Sequence, residues 1–447
     1  MRLPLAWISL IGLLLLVSAG ATRAENAPVP PLPEGVTPLP PESAKHFQEL
    51  LEAAEKYRGL KALQPVPAGT LAEPELRKKM AQSLAEDLSA EQLEATEIAA
   101  KAFGLIPESL DLSSYLPDLL TSQVAGFYDP VRHYMALVRR GAGEEAGSAE
   151  DVVIVHELTH ALQDQHFDLR ELDKVDPMSD ASTARAALTE GDATLTMTSY
   201  LAGGSVEALP FASGAMKSLL ENPEAFASAS DVPGGAELSK APAWIRDSLL
   251  FSYVEGFAFC LEVRRVGGQK LLDYAFTTDP PRSSEQILHP EKWLGRRDDP
   301  VVLLWPDLAP ALPGWKKLSE GEAGESTIQT LLRRKGENRE TANREAAGWG
   351  GDRFAVYGKA GRRLLVWWTE WDSEGDAREF QAAVRRLGGG WRAEALSPRR
   401  VLAVRGELDR QRRAAIQVRL AAAVGVSPAN REIDLKAVGV PVKPSLP

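Results

Sequence analysis

Residues 153–169 read VIVHELTHALQDQHFDL, which places His156, His160 and His166, half of the chain's six histidines, close together. On a helix, positions i and i+4 stand one above the other. His156 and His160 can therefore present two imidazoles to one ion, with Glu157 beside them. This constrains the fold more than any other feature, because a catalytic zinc takes three protein ligands and keeps one position for water. A second element has to cross the helix and bring the third. His-Glu-x-x-His on a helix predicts a Zn2+ site with a carboxylate base built in.

Two residues compete for third place. His166 follows His160 by six positions, and six residues at about 100° each turn it to another face of the helix. Only a turn off the helix would bring it back, and the position where a glycine would permit that turn is Gln163. His166 is then a structural residue or one that stands behind the ligands. Glu190 lies in ARAALTEGDATLTMTSY, a second amphipathic pattern, where a carboxylate completes a His-His-Glu set. Against it stands a solvated glutamate at a helix break before Gly191.

The rest of the chain orders itself around this pair of helices. From Ser43 to about Leu120 the pattern is helical; Thr70 with Glu73, and Ser89 with Gln92, have capping-box spacing, and Gly104 stands where a helix would stop. QVAGFYDPVRHYMALV reads as a β-hairpin, and Ser148 with Asp151 repeats the cap spacing ahead of the histidine helix. Residues 203–242 read as a long loop, with a mobile flap as the alternative. Beyond about Pro300, strands at DRFAVYG, RRLLVWWTEW, WRAEAL and RRVLAVRG alternate with two helices and predict a small C-terminal α/β domain. GWGGDR reads as a turn with an internal ion pair and no ligand.

Taken together, QVAGFYDP, HELTHALQDQHFDL, TEGDAT, SSEQILHPEKW and GWGGDR resemble a group of exported prokaryotic HExxH proteins. HELTH on one helix with a glutamate on the next resembles the gluzincin-type zinc metallopeptidases. The similarity spans roughly Ser43 to Phe380. It implies an α+β protein: a mostly helical zincin-like metallopeptidase domain over 43–300, with a β-hairpin before the HExxH helix, and the C-terminal α/β domain over 301–447. It also implies zinc ligands His156, His160 and Glu190, with Glu157 as catalytic base. One departure stands out. Gluzincins commonly carry an aspartate four residues after the third ligand to orient a ligand histidine; here that position is Thr194, and Asp192 lies off that face. The groups behind the ligands must be arranged differently, and such groups affect metal affinity and activity.

Zinc in such a site lowers the pKa of water and polarises a scissile carbonyl, while Glu157 takes the proton and passes it to the leaving amine. A donor for the developing oxyanion is also required. His289 is the first choice because histidines are few; Tyr253, Arg282 and Tyr128 are the other candidates. The expected substrate is a peptide or protein, and the hairpin could pair with it as an added strand or be an ordinary sheet edge. A cell-wall peptide cross-link would suit the same chemistry. The alternative of another class is a non-catalytic, zinc-containing binding or chaperone-like protein, which would have no need of Glu157.

Met1 and Arg2, an apolar stretch from Leu10 to Val17, and the small residues up to Ala24 read as a signal peptide over 1–24, followed by a proline-rich linker over 25–42. The expectation is an exported protein, periplasmic or extracellular, with no stable membrane span once the signal is removed. The single Cys260 means folding without internal disulfides, and with no cysteine before the site a thiolate switch on zinc is excluded. A steric inhibitory role for the N-terminal helices stays open. A net charge of −11 argues against nucleic acid as partner, which needs a basic surface. The 447 residues, 44% hydrophobic, suffice for two or three domains.

Overall fold

The computed structural model describes residues 31–87, 89–139, 148–204, 235–333, 338–428, 432–435 and 438. The expected signal peptide, the first part of the proline-rich stretch and residues 205–234 lie outside the described residues. The fold is mixed α+β.

Helix α1 (Pro41–Arg58) buries Phe47, Leu50, Leu51 and Ala54, the i, i+3, i+4, i+7 stripe of an amphipathic helix. It stops at Gly59, whose φ of 78° is the left-handed conformation that glycine adopts without strain. A four-stranded sheet follows, in the order β1 (Thr37–Pro38), β2 (Ala68–Ala72), β4 (Tyr134–Arg139), β3 (Gly126–Asp129). Strands β3 and β4 form the expected antiparallel hairpin, and β2 runs parallel to β4. Thr37 of the proline-rich stretch pairs with Thr70. Thr70 therefore sits inside a strand and is not the cap its spacing with Glu73 suggested; β2 leads straight into α2 (Glu73–Asp87).

Ser89 and Gln92 do make a reciprocal capping box on α3 (Ala90–Phe103), which ends at a left-handed Gly104. Helix α4 (Leu112–Gln123) precedes the hairpin; α5 (Ser148–Phe167), the short α6 (Leu169–Leu172) and α7 (Asp180–Leu201) follow it. Helix α5 begins at Ser148, whose side chain lies outside the described residues, and Asp151 Oδ1 lies 2.7 Å from His46 Nε2. After α8 (Gly235–Lys240) comes the long α9 (Ala243–Thr277), kinked at Gly268. Two short helices, α10 (Ser284–Leu288) and α11 (Glu291–Leu294), close this part.

The C-terminal part holds the four strands and two helices its alternating pattern predicts, together with a strand at Lys316–Gly321 and helices at Gly324–Arg333 and Arg339–Ala346 that the pattern does not announce. They are β6 (Lys316–Gly321), α12 (Gly324–Arg333), α13 (Arg339–Ala346), β7 (Trp349–Lys359), β8 (Arg362–Trp371), α14 (Glu374–Leu387), β9 (Trp391–Ser397), β10 (Arg400–Arg405) and α15 (Arg410–Ala421). A two-residue pair, β5 (Val302–Leu303) with β11 (Gly425–Val426), lies beside them. The five-stranded sheet, in the order β6-β7-β8-β10-β9, is antiparallel throughout. Its residues alternate between faces as strand geometry requires. Leu364, Val366 and Trp368 pack with Ile416 and Leu420 of α15, and Leu365 and Trp367 face the helical part. There Phe103 of α3 meets Phe354 at 5.1 Å and Trp367 at 5.0 Å, edge to face, so both parts share one core.

Asp352 of GWGGDR accepts from the backbone N–H groups of Ala323 and Gly324 and from the indoles of Trp349 and Trp367. The segment is a buried knot at the start of α12 and not the ion-paired turn expected. Among the described residues no helix is long and apolar enough to cross a membrane.

Candidate metal centre

Helix α5 is used on every side. Val155, Leu158 and Leu162 pack against Phe47, Leu50 and Leu51 of α1. His156, His160 and Gln163, at i, i+4 and i+7, share a second face, turned toward α7. Glu157 and Asp164, also seven apart, face β3.

On the α7 side, His156 Nε2 lies 3.1 Å from Glu190 Oε2 and 3.1 Å from His160 Nε2, and His160 Nε2 lies 3.5 Å from Glu190 Oε2. Three donor atoms thus form a triangle. Tetrahedral zinc with bonds of roughly 2.0–2.2 Å separates its ligand atoms by roughly 3.3–3.5 Å, so the residues fit the ion with almost no movement. The structure gathers the ligand set expected from the two helices, and each member is buried. Burial opposes charge on Glu190, but the two imidazoles outweigh it and hold the carboxyl well below its usual range. Burial opposes charge on His160 too; Glu190 outweighs it and raises the imidazole.

Glu190 is no solvated residue at a helix break. Helix α7 continues through Gly191, which meets Gly256 of α9 at the closest approach of the two helices. That crossing also brings Tyr253 of α9 over the site. Its ring stacks on His156, centroids 5.7 Å apart and 28° between planes. Burial, with the carboxylates of Glu190 and Glu157 nearby, pushes its hydroxyl far above the ordinary phenol value and keeps it a donor.

Glu157 stands beside the triangle: its carboxylate and the two imidazoles lie within 4.8 Å of one another. Its Oε2 accepts from the backbone N–H of Tyr128, 3.0 Å away, so this outward N–H of the edge strand β3 holds the carboxylate. The Tyr128 hydroxyl donates to Asp164 at 2.8 Å, and His133 Nδ1 lies 3.0 Å from the same oxygen. Tyr128 therefore ties β3 to α5 at two points two turns apart.

Other candidates lie elsewhere. His166 is at 2.7 Å from the Lys61 carbonyl, off the metal face as the helical angle requires. Arg282 pairs with Asp299 at 3.3 Å. His289 ends α10 with its Nε2 at 3.1 Å from Glu325. That neighbourhood is tied through Ser284 to Asp180 at the start of α7, ten residues and about 15 Å along the helix from Glu190. The structure brings His289 to Glu325 and not to the histidine pair, and the scarcity of histidines was no guide to position. A second acidic group, Glu285, Asp298 and Asp372, is filled by the ammonium of Lys292, at 2.6, 2.8 and 2.6 Å.

Residues 314–438 match the family model of a domain of unknown function, DUF8575. The match begins at the five-stranded sheet and includes none of His156, Glu157, His160 and Glu190. No curated protein and no solved structure matches the chain.

The sequence reading missed Gln163, Asp164 and Arg58. The first two stand three and four positions after His160, and that spacing was the available signal. Arg58 is distant in sequence and gave none.

Proposed function

We propose that the protein is an exported, zinc-dependent metallopeptidase. The observation that supports this reading is the triangle of His156, His160 and Glu190 with Glu157 beside it, held by Tyr128 N–H. Two imidazoles and one carboxylate are the donors of a catalytic zinc that keeps a place for water. A bound zinc supplies Lewis acidity, making water a nucleophile at neutral pH and polarising a carbonyl.

The chain's own residues do the rest. Glu157 accepts the proton of the attacking water at a carboxylate oxygen and delivers it to the leaving amine nitrogen. Tyr253, protonated and stacked on His156, donates to the oxygen on which charge develops. His156 and His160 are fixed by α5 and Glu190 by α7, so the reacting groups sit on rigid elements. The substrate is a peptide or protein, and export rests on the signal-like residues 1–24.

The test is zinc content together with cleavage of a mixed peptide library, for the parent and for Glu157→Gln. Zinc in both, with cleavage only by the parent, supports the reading. Zinc in both and cleavage by neither would replace it with a non-catalytic zinc-containing binding protein. The mature N-terminus, read by mass after expression with the full leader, tests export.

A further inference from the structure

A metal-binding imidazole works only if its other nitrogen carries the proton, so something must fix the tautomer of each histidine. For His160 the geometry decides which group does so. Its Nδ1 lies 2.9 Å from Gln163 Oε1. The amide of Gln163 has only one sensible orientation, because its Nε2 donates to Asp192 Oδ2 at 2.7 Å and to the Thr189 carbonyl at 3.0 Å. With Nε2 committed to two acceptors, Oε1 is the atom facing His160 and it must accept. His160 therefore carries a proton on Nδ1, and Nε2, which faces His156 and Glu190, is the nitrogen left to bind a metal.

Asp192 is held in turn. The same Oδ2 accepts from Arg58 Nε at 2.6 Å, and Arg58 Nη2 donates to Asp273 Oδ1 at 2.8 Å. Arg58 is the last residue of α1 and fully buried, its guanidinium 5.5 and 5.8 Å from the ring centroids of Phe167 and Phe276, which stack on each other. A buried arginine at a helix C-terminus, facing two carboxylates, has one stable place. The chain of contacts runs from α1 through α7 to a histidine of α5.

We infer that Gln163, anchored by Asp192 and through it by Arg58, is the positioning residue that presents His160 Nε2 to the metal. Helix α1 is thereby a working part of the metal centre. This rests on the zinc reading above, and it removes α1 from consideration as an inhibitory segment that processing could release. An aspartate is the usual partner for a ligand histidine; here an amide does that work and the carboxylate stands one step behind it.

The experiment is zinc affinity of the full chain, measured with Zn2+ alone against a chromophoric chelator. The variants are Gln163→Leu, Arg58→Lys, their combination, and His166→Ala as a histidine off the metal face. Gln163→Leu should weaken zinc about 10- to 100-fold, and Arg58→Lys by less. The combination should be no weaker than Gln163→Leu alone, since both act through one contact; His166→Ala should match the parent. Should Arg58→Lys fail to fold, Asp192→Asn carries the same comparison, because it keeps the volume and removes the charge that Arg58 clamps. Gln163→Leu holding zinc as tightly as the parent would overturn the inference, and strict additivity in the combination would overturn the part that involves α1. A parent that takes up no zinc would sink the metallopeptidase reading itself.

Discussion

Gly191 and Gly256 bring α7 and α9 into backbone contact: a methyl carbon added at Gly191 would stand 2.1 Å from the Gly256 carbonyl carbon, and one added at Gly256 would stand 2.1 Å from the Ala187 oxygen. No side chain fits between the helices there. Glu190 adjoins the first glycine, and Tyr253 lies one turn from the second. The crossing that packs the core therefore also sets the separation of Glu190 from Tyr253. Gly256→Ala and Gly191→Ala should each destabilise by about 1–3 kcal/mol, the usual effect of overpacking, and should weaken zinc because α7 must move away. Thermal melts and a zinc titration check this; an alanine variant that melts and binds like the parent would show that the helices can part freely.

Tyr253→Phe keeps the ring on His156 and removes only the hydroxyl. Zinc content and melting temperature should stay at parental values. If the hydroxyl meets the developing oxyanion, kcat should fall about 10²–10³-fold, as for loss of one such donor, with KM little changed. A kcat within a few-fold of the parent would return the oxyanion role to another donor.

The meeting of His156, His160 and Glu190 was legible because helical spacing is fixed: the two histidines four apart, and Glu190 on a second helical pattern. The capping box of Ser89 and Gln92 and the strands β7 to β10 of the C-terminal sheet were legible for the same reason, since their periodicity is local. What failed depended on distance. Ala68–Ala72 has few β-formers and becomes a strand only because β4 lies beside it, so Thr70 was read as a cap. Arg58 meets Asp192 across 134 positions, and no local pattern announces such a pair. His289 was chosen by rarity, and rarity says nothing of where a side chain points.

Tyr128→Phe removes the hydroxyl bond to Asp164 and leaves the backbone N–H bond to Glu157 in place. The buried Asp164 then keeps His133 Nδ1 and the Leu169 N–H as partners. Stability should fall by about 1.5–3 kcal/mol, the effect of a lost buried hydrogen bond to a charged group, with zinc affinity unchanged. Chemical denaturation alongside a zinc titration measures both, and a loss of zinc affinity would show that the strand bears on the ligands as well.

Zinc bound only by the folded chain would stabilise it by mass action, about 4 kcal/mol at a thousandfold excess over the dissociation constant. Chelation should lower the melting temperature of the parent by several degrees. His156→Ala and His160→Ala, which lack a ligand, should melt alike with and without chelator. A parent whose melting ignores chelation would argue that the triangle holds no metal.

Glu322 links the start of α7 to the C-terminal sheet: its Oε2 accepts from the Asp180 N–H at 3.1 Å. Burial, with Asp352 next in effect, raises its carboxyl from 4.5 to about 7. The folded chain therefore keeps a proton that the unfolded chain releases above about 4.5. Linkage makes stability fall wherever the folded state binds more protons as pH rises, so this contribution is complete below about 4.5 and is lost as pH climbs through about 7. Glu322→Gln retains an acceptor for Asp180 N–H and carries no charge. Its melting temperature should approach or fall below the parent's at pH 4–5 and exceed it at pH 8, with the difference opening across the window between. Groups common to both chains cancel in that comparison. A difference that stays constant from pH 4 to pH 8 would mean that Glu322 titrates as it does in the unfolded chain, and that its contact with Asp180 is held by an ordinary carboxylate.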